Sequence, residues 1–301
     1  MGLKDYILIT PCKDEEENLP NLTESVISQT IQPKIWVIVD DGSTDGTSKI
    51  LETLSHEHSW IHVLTLSQKP RNLGIHVAHV YREGFDYAIK KCKNKRNAYN
   101  YVGCVDADII LEKDHFELLI EELSKNPNLG ICSGRVGNIV GEKIVWSEYR
   151  EDIPSGGARL WSRECFEETG GYLLTSSPDS VSNVKAKLRG WQTKQFCHIE
   201  VISSRPYASA EGQFKGYRKL GANNYYIGYA PLHIILKGIK MLYSRKGYFK
   251  TGIGIAYIYG YFLEFIKRAP KIDDPEIINY YSKARVKEIL CRNLKSARKQ
   301  K

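Results

Sequence analysis

Two carboxylates one residue apart, Asp106 and Asp108, follow an apolar run that begins at Tyr101. Short apolar runs rich in valine and isoleucine are typical of buried strands, and ligands of open α/β sheets bind beyond the carboxyl ends of such strands. If the extended geometry continues through Ala107, both carboxylates lie on one face, because side chains alternate along a strand. Paired carboxylates suit a hard cation such as Mg²⁺ or Mn²⁺, which commonly shares them with substrate phosphates. The structural alternative is that either carboxylate caps the turn or the next helix.

Alternating strand and helix patterns across the first half of the chain predict an α/β fold with a mainly parallel central sheet flanked by helices. The acidic residues at 14–17 suit the first turn of a helix, because they complement its dipole. No Gly-x-Gly-x-x-Gly segment follows the first strand and no Walker-type loop is present, which counts against dinucleotide and P-loop enzymes. Strands are expected at residues 6–10, 35–39, 61–66, 101–105, 130–136 and 195–203, and helices at 14–29, 48–55, 114–124 and 179–190, with one more helix ending near residue 91.

From Gln213 onward the chain is rich in tyrosine, isoleucine, leucine and lysine and shows no strand alternation, which predicts a helical C-terminal region. We therefore expect a catalytic domain at residues 1–212 and a helical region at 213–301 that ends in a basic tail. Residues 252–266 are the most apolar stretch, but they include Glu264 and fall short of the roughly 20 residues that span a bilayer. Two interpretations stay open for this stretch: a helix packed on the catalytic domain, or a helix at a membrane interface flanked by lysine and arginine.

Composition indicates a folded protein: of 301 residues, 42% are hydrophobic and 26% charged, which argues against disorder and against a polytopic membrane protein. The net charge of +8 suits phosphate-bearing ligands, an anionic membrane surface or nucleic acid. Nucleic acid is the weakest of these, because solvated surfaces explain the basic stretches at 90–96 and 283–301. Seven scattered cysteines without a Cys-x-x-Cys pair argue against a disulfide framework and a zinc site. No signal peptide is visible, so we expect a cytoplasmic location, with the cytoplasmic face of the membrane as a further option.

Several short motifs occur in a fixed order along the chain. They are Thr10 to Leu19, Val39 to Thr47, Asn72 to Gly74, Val105 to Asp108, Gly156 to Glu164 with Gly170 to Tyr172, and the predicted helix from Asp179 to Gly190. In this combination and order the motifs resemble those of the family 2 glycosyltransferases, which have the GT-A fold. The resemblance covers roughly residues 4–200, and the segment beyond residue 212 matches only loosely.

The resemblance implies a metal-dependent, inverting enzyme that moves one sugar from a nucleotide diphosphate sugar of the UDP or GDP type to a glycan hydroxyl or a polyprenyl-linked acceptor. By the same resemblance, Asp108 is the Mg²⁺ or Mn²⁺ ligand, Asp106 contacts the ribose or the metal, and Asp41 accepts a hydrogen bond from the base. Asp45 is better explained as a cap of the following helix. The family usually has Asn-Glu where this chain has Asp14-Glu15. The nucleotide-binding residues implied are Pro11, Asp14, Glu15, Asp41, Asn72, Gly74, Asp106 and Ala107.

The acceptor side departs from the family pattern, which usually reads Glu-Asp-x-Asp where this chain reads Pro178-Asp179-Ser180-Val181. Asp179 is the best match to the catalytic base, which would deprotonate an acceptor hydroxyl as it attacks the anomeric carbon. A lipid phosphate acceptor is already anionic and needs no strong base, and Asp179 could also be only the N-cap of its helix. The chain has no Gln-x-x-Arg-Trp segment and no transmembrane bundle of the kind seen in processive synthases, so single-sugar transfer is expected.

Two other functions stay open at this point. A sugar nucleotidyltransferase also uses carboxylate-held Mg²⁺, but it would be expected to carry a glycine-rich basic loop after its first strand, and residues 10–14 are not one. A non-catalytic module that binds nucleotide sugars is compatible with the shortened motif at Asp179. The sequence gives no prediction of oligomeric state.

Overall fold

The chain forms two compact units, Met1–Arg205 and Pro206–Lys301. The computed structural model describes residues 4–67, 75–92, 99–206, 212–243 and 252–284. The predicted ligand residues Asn72 and Gly74, and the basic tail at 285–301, lie outside these ranges. The predicted domain boundary at residue 212 stays a prediction.

The first unit is built on one sheet, whose strand order in the described residues is β3-β2-β1-β4-β8-β6-β9-β5, with β7 paired to β6. Its first four strands, β3-β2-β1-β4, are parallel, as predicted. Beyond them the sheet is mixed: β8 runs antiparallel to β4 and β6, and β5 runs antiparallel to β9. The strands are β1 Tyr6–Cys12, β2 Ile35–Asp40, β3 Ile61–Thr65, β4 Tyr101–Val105, β5 Ile109–Leu111, β6 Leu129–Val140, β7 Lys143–Trp146, β8 Ala158–Ser162 and β9 Gln192–Ser203.

Helices cover both faces of this sheet, as the predicted α/β class requires. Along β1, Tyr6 and Leu8 pack into a core with α1, α2 and α4, whereas Ile7 and Ile9 pack on the opposite face with α3 and α5. This alternation follows from the two-residue period of a strand. The helices are α1 Leu19–Ile27, α2 Thr47–Glu57, α3 Ile75–Cys92, α4 His115–Lys125, α5 Arg163–Glu168 and α6 Pro178–Leu188.

The segment after β1 differs from the expectation. The helix predicted to begin at Asp14 begins at Leu19, and Asp14 has a left-handed backbone with φ of 52°. The reason is competition from the loop after β2: the Asp14 carboxylate accepts the Thr44 amide at 2.8 Å, and the Glu16 carboxylate accepts the Gly46 amide at 2.6 Å. The acidic residues therefore bind a neighbouring loop rather than the first turn of their own helix.

The second unit is helical, as predicted. It contains α7 Gln213–Tyr226, α8 Pro231–Tyr243, α9 Gly252–Ile266 and α10 Pro275–Asn279, and a π-helical turn Tyr280–Ala284 follows. Helix α9 packs closely on its neighbours at glycines: Gly260 lies against the backbone of α7, and Gly254 against the backbone of α8. Within the described ranges, no helix combines the length and apolarity needed to cross a membrane.

Candidate active site

The carboxyl ends of β1, β2 and β4 meet at one edge of the sheet. The parallel register pairs Cys12 with Asp40 and continues from Asp40 to Thr65 of β3, while β4 lies parallel on the other side of β1. The loops that leave these strands, residues 13–18, 40–47 and 106–108, are therefore neighbours. All the carboxylates of the predicted donor site that the structure describes lie on these loops.

Buried polar side chains hold the loop after β2 in place. The Lys13 ammonium group is buried and donates to the carbonyl oxygens of Asp41 at 2.7 Å and Gly42 at 3.0 Å. The buried Asp40 carboxylate accepts the Ser43 amide at 2.9 Å and the Ser48 hydroxyl at 2.7 Å. Asp40 is thus fully engaged in shaping the loop and the start of α2.

Asp45 has a similar local role. Its carboxylate accepts the amides of Thr47 at 3.0 Å and Glu16 at 3.2 Å. The N-cap position of α2 is Gly46, so Asp45 is not the N-cap that was expected, although its carboxylate binds the first amide of the helix.

Asp41 is directed differently from Asp40. Its side chain is largely buried, and both carboxylate oxygens lie 2.9 Å from Nε2 of His76, near the start of α3. An ionised carboxylate can only accept hydrogen bonds, so Nε2–H of His76 is the donor in this contact. His76 therefore orients the carboxylate that the sequence motifs associate with the nucleotide base.

Asp106 directly follows β4, and its side chain is partly buried. Its amide donates to the carbonyl oxygen of Gly157 at 2.8 Å, and the Tyr81 hydroxyl donates to Oδ1 at 2.5 Å. Burial, followed by the nearby negative charge of Asp108, raises the pKa of Asp106 to about 7. The Asp108 carboxylate is therefore close enough to Asp106 to disfavour its negative charge.

The approach is not made by a continuous strand, contrary to the expectation. Strand β4 ends at Val105, a turn follows, and β5 begins at Ile109. Asp108 reaches the site because β5 pairs with the end of β9, which places Ser203 opposite Ile109. The Ser203 hydroxyl donates to Oδ2 of Asp108 at 3.2 Å.

Arg205 joins two predicted ligand residues. Its Nε lies 3.0 Å from Oδ2 of Asp108, and its Nη2 lies 2.9 Å from Oε1 of the buried Glu15. The Arg205 side chain is about a quarter exposed. Arg205 therefore supplies a fixed positive charge in a pocket of carboxylates.

Asp179 lies in the first turn of α6, and 44% of its side chain is exposed. The N-cap position belongs to Ser177, so the predicted structural alternative of a capping Asp179 is wrong. Its Oδ1 lies 3.8 Å from Nη2 of Arg159, a fully buried guanidinium that also donates to the carbonyl oxygens of Ser155 at 2.7 Å and Pro154 at 3.0 Å. Arg159 thus fixes the start of α6 relative to the loop before β8.

Two glycines separate Asp179 from Asp106. Gly156 lies directly against the Asp179 carboxylate, where a Cβ would overlap it, and a Cβ on Gly157 would lie 3.3 Å from Oδ2 of Asp106. The Asp179 charge is also among the influences that raise the pKa of Asp106, after burial and Asp108. The glycine pair therefore lets the carboxylates of Asp106 and Asp179 lie on either side of one short backbone segment.

Three further predicted ligand residues that the structure describes, Pro11, Asp14 and Ala107, lie near this edge. Pro11 is in β1, and the Asp14 carboxylate is bound to Thr44 as described above. Ala107 has a buried methyl group in the same core cluster as Ile109, so a ligand would reach it through its backbone. Asn72 and Gly74 are outside the described residues.

A divalent cation is implied by the motifs, and the carboxylates fit one that is shared with a ligand. No group of three or more His, Cys, Asp or Glu side chains arranged to hold a metal occurs among the residues that the structure describes. Mg²⁺, however, is usually bound by one or two carboxylates together with substrate phosphates. The negative charges of Asp106 and Asp108 repel each other, and a divalent cation would relieve this repulsion. These two residues would therefore hold the cation.

Three residues of the site were not predicted from sequence: Arg205, His76 and Tyr81. The sequence does contain a signal for Arg205, because this residue closely follows the strand predicted at 195–203, as the other polar residues of the site follow their strands. His76 and Tyr81 had none, since their contacts depend on where α3 crosses the strands.

Residues 7–181, more than half of the chain, match the family described as Glycosyl transferase family 2. The chain belongs to this family. The resemblance seen in the sequence motifs is thereby confirmed, and the match contains every predicted site residue from Pro11 to Asp179.

Curated relatives match about half of the chain. Poly-beta-1,6-N-acetyl-D-glucosamine synthase of Staphylococcus epidermidis is 31% identical over 147 residues, which are 47% of this chain and 32% of that protein. The protein of the same name from Staphylococcus aureus strain COL is 26% identical over 152 residues, 49% of this chain and 33% of that protein. The chain thus spans about a third of the length of these relatives.

Solved structures share the fold at low sequence identity. Mannosyltransferase PcManGT from Pyrobaculum calidifontis, in complex with GDP-Man and Mn²⁺, aligns with a TM-score of 0.53 and 16% identity over 85% of this chain and 69% of that chain. Residues 1–349 of S. aureus TarS, in complex with UDP-GlcNAc, align with a TM-score of 0.53 and 16% identity over 91% of this chain and 79% of that chain. The α/β fold with a helical C-terminal region is that of the GT-A glycosyltransferases, as predicted.

Proposed function

We propose that this family 2 protein is a metal-dependent, inverting glycosyltransferase that moves one sugar from a nucleoside diphosphate sugar to an acceptor hydroxyl or lipid phosphate. The observation that carries the proposal is the placement of Asp179 and Asp106 on either side of the Gly156–Gly157 segment. This arrangement puts a partly exposed carboxylate next to the candidate diphosphate site. Family membership favours transfer of a sugar over the nucleotidyltransferase alternative.

The donor would lie along the edge formed by β1, β2 and β4. Asp41, oriented by His76, would accept a hydrogen bond from the base. Glu15 and Arg205, which are hydrogen-bonded to each other, would together line one side of the donor site. A divalent cation at Asp108 and Asp106 would neutralise charge that develops on the departing diphosphate. The Arg205 guanidinium, 3.0 Å from Asp108, contributes positive charge at the same place.

Asp179 would act on the acceptor. As the acceptor oxygen forms its bond to the anomeric carbon, the bond from that carbon to the diphosphate oxygen breaks, and Asp179 takes the hydroxyl proton. Attack from the side opposite the leaving group inverts the anomeric configuration. Arg159 would position Asp179 through the contacts to the first turn of α6. For a lipid phosphate acceptor the proton transfer is unnecessary.

The known proteins suggest which donors to test first. The structural neighbours hold GDP-Man and UDP-GlcNAc, and the curated relatives are named as synthases of a poly-N-acetylglucosamine. We propose that the donor belongs to the UDP or GDP sugars and that the acceptor is a glycan or a polyprenyl-linked molecule.

The proposal is tested by incubating the full chain with a panel of UDP and GDP sugars, each with Mn²⁺, Mg²⁺ or EDTA. Polyprenyl phosphate or short N-acetylglucosamine oligosaccharides are supplied as acceptors. We expect one donor to release nucleoside diphosphate only with a cation, at a rate that rises when the correct acceptor is present. The product should carry the opposite anomeric configuration to the donor, measured by NMR.

Two results would contradict the proposal. Release of sugar 1-phosphate instead of nucleoside diphosphate, with formation of nucleoside triphosphate when inorganic diphosphate is added as the attacking group, would indicate nucleotidyl transfer. Tight binding of a nucleotide sugar by calorimetry, without turnover with any acceptor or water, would indicate a binding module.

Arg205 gives a further prediction, because it lies beside the candidate cation ligand. For Arg205→Gln we expect Mn²⁺ affinity in the absence of nucleotide to rise about tenfold, since a positive charge next to Asp108 is removed. In the presence of Mn²⁺, affinity for UDP or GDP should fall about tenfold, since a charge-assisted contact to the diphosphate is lost. Calorimetric titrations measure both affinities.

The matched control is Arg163→Gln, which removes an exposed arginine paired with Glu167 on α5. This variant should leave both affinities unchanged. If Arg205→Gln moves both affinities in the same direction, Arg205 serves only to hold the loops together, and its proposed electrostatic role toward the cation and the diphosphate is wrong.

A further inference from the structure

The two units of the chain differ sharply in charge. Residues 1–205 contain 24 lysine and arginine residues against 29 aspartate and glutamate residues, a formal net charge of −5. Residues 206–301 contain 19 basic residues against 6 acidic ones, a formal net charge of +13. The net charge of the whole chain is moderate because a strongly basic second unit is partly offset by an acidic first unit. Such an asymmetry between halves indicates an anionic partner for the basic half.

The same unit exposes an apolar stripe on α8. Leu232, Leu236 and Ile239 are spaced three and four residues apart and therefore lie on one side of the helix. Leu232 is 67% exposed and Leu236 is 60% exposed, while Ile234 on the opposite side is fully buried. Helix α8 thus has one apolar face in the core of the unit and a second apolar face in solvent.

Helix α9 carries a similar stripe. Ile255 is 57% exposed, Tyr259 half exposed, and Ile266, at the end of the helix, 77% exposed. Tyr257 and Tyr261, on the other side of α9, are buried against α7 and α8. Single exposed apolar residues are common on soluble proteins, but two adjacent helices with continuous stripes are not.

The two stripes lie on the same side of the helix pair. A Cβ on Gly238 would contact Ile258, and a Cβ on Gly254 would contact Leu242, so α8 and α9 pack antiparallel. The residues through which the helices touch, such as Gly238 and Gly254, define a contact line along each helix. Around either helix, at 3.6 residues per turn, the exposed stripe lies about a quarter turn from this line in the direction of increasing residue number. For antiparallel helices, displacements of the same sense point to the same side. The stripes therefore form one apolar face, called here the α8–α9 face.

Basic residues border this face. Lys240 follows Ile239 directly, and Lys267 and Arg268 follow Ile266; all three are exposed. Long basic side chains next to exposed leucine, isoleucine and tyrosine are the composition of helices that lie in the headgroup region of a membrane. A second copy of the chain would bring another +13 charge to the same place, which opposes self-association through this face.

We infer that the α8–α9 face docks the second unit on an anionic lipid bilayer, with Leu232, Leu236, Ile255 and Ile266 inserted among the headgroups and the basic residues contacting lipid phosphates. The helices would lie in the plane of the surface and not cross it. The reason for such docking rests on the proposed function, because a polyprenyl-linked acceptor is found in a bilayer. The surface itself depends only on exposure and charge.

The test is co-sedimentation of the full chain with vesicles. One set of vesicles is phosphatidylcholine alone, and the other is phosphatidylcholine and phosphatidylglycerol in equal parts. We expect binding to the anionic vesicles, at least about tenfold weaker binding to the neutral ones, and weaker binding as salt is raised. The double variant Leu232→Ser/Leu236→Ser should bind the anionic vesicles at least about tenfold more weakly than the natural chain.

The control variant is Leu188→Ser, which changes an exposed leucine of α6 in the first unit and should leave vesicle binding unchanged. Nucleotide binding is measured in parallel by calorimetry. Loss of vesicle binding with intact nucleotide binding supports the docking surface, whatever the acceptor proves to be. Equal vesicle binding by the double variant and the natural chain would overturn the inference, as would self-association that requires Leu236 without any binding to lipid.

Discussion

Asp108→Asn is expected to lower the rate of nucleoside diphosphate release by about 10³-fold, equivalent to about 4 kcal/mol in the activation free energy. Asparagine keeps the size of the side chain and can still accept the Ser203 hydroxyl, but it lacks the negative charge that would hold a divalent cation. The residual rate should be nearly the same with Mn²⁺ and with EDTA. Both are measured as nucleoside diphosphate release with the donor that the panel identifies.

The loss of cation dependence, rather than the loss of rate alone, is the decisive part of this result. Asp86→Asn is the matched control, because Asp86 is an exposed aspartate on α3 whose carboxylate lies 3.8 Å from Arg82. It should retain full activity and full cation dependence. If Asp108→Asn keeps its response to Mn²⁺, Asp108 is not the metal ligand, and its carboxylate serves mainly to bind Arg205.

The parts of this protein that sequence predicted are those determined by local pattern. The run from Tyr101 to Val105 is apolar and β-branched, and it forms a buried strand. Residues 213–226 lack strand alternation, and they form a helix. The carboxylates at the ends of β1, β2 and β4 meet because parallel strands have their carboxyl ends at one edge, a rule that needs no knowledge of the side chains.

The parts that sequence missed depend on contacts between segments far apart in the chain. Asp14 does not begin a helix because Thr44, thirty residues away, binds its carboxylate. Arg205 reaches Glu15 only because β9 pairs antiparallel with β5, and the apolar pattern of β9 does not specify its partner or direction. Local propensity is a weak prior wherever a loop offers a better hydrogen-bond partner than the helix does.

The acceptor side shows the same division. The motif at Asp179 looked incomplete because it lacks neighbouring acidic residues. In the structure, the neighbours that matter are Gly156, which touches its carboxylate, and Arg159, which lies 3.8 Å from it. Both residues precede Asp179 by 20 or more positions in the sequence. Its surroundings therefore could not be read from the sequence around Asp179.

Gly156→Ala is expected to lower sugar transfer to a hydroxyl acceptor by about 10²- to 10³-fold, close to the effect of Asp179→Asn. The added Cβ would overlap the Asp179 carboxylate, so this side chain must turn away from the position beside Asp106. Asp179→Asn keeps the position but cannot accept the proton. Neither change removes a side chain that would bind the donor, so nucleotide affinity measured by calorimetry should stay within about twofold of the natural value.

Comparison of the two variants separates position from chemistry. Gly252→Ala is the matched control, because it makes the same change at a position where, among the residues that the structure describes, the nearest atom is on the Phe214 ring, 3.8 Å from the new Cβ. It should have normal activity. Transfer to a lipid phosphate that survives in both site variants would mean that the acceptor needs no base. If Gly156→Ala transfers to a hydroxyl acceptor at the natural rate, the carboxylate does not act from the position seen here. Asp179 would then be a structural residue of α6, and the proton acceptor would have to lie elsewhere.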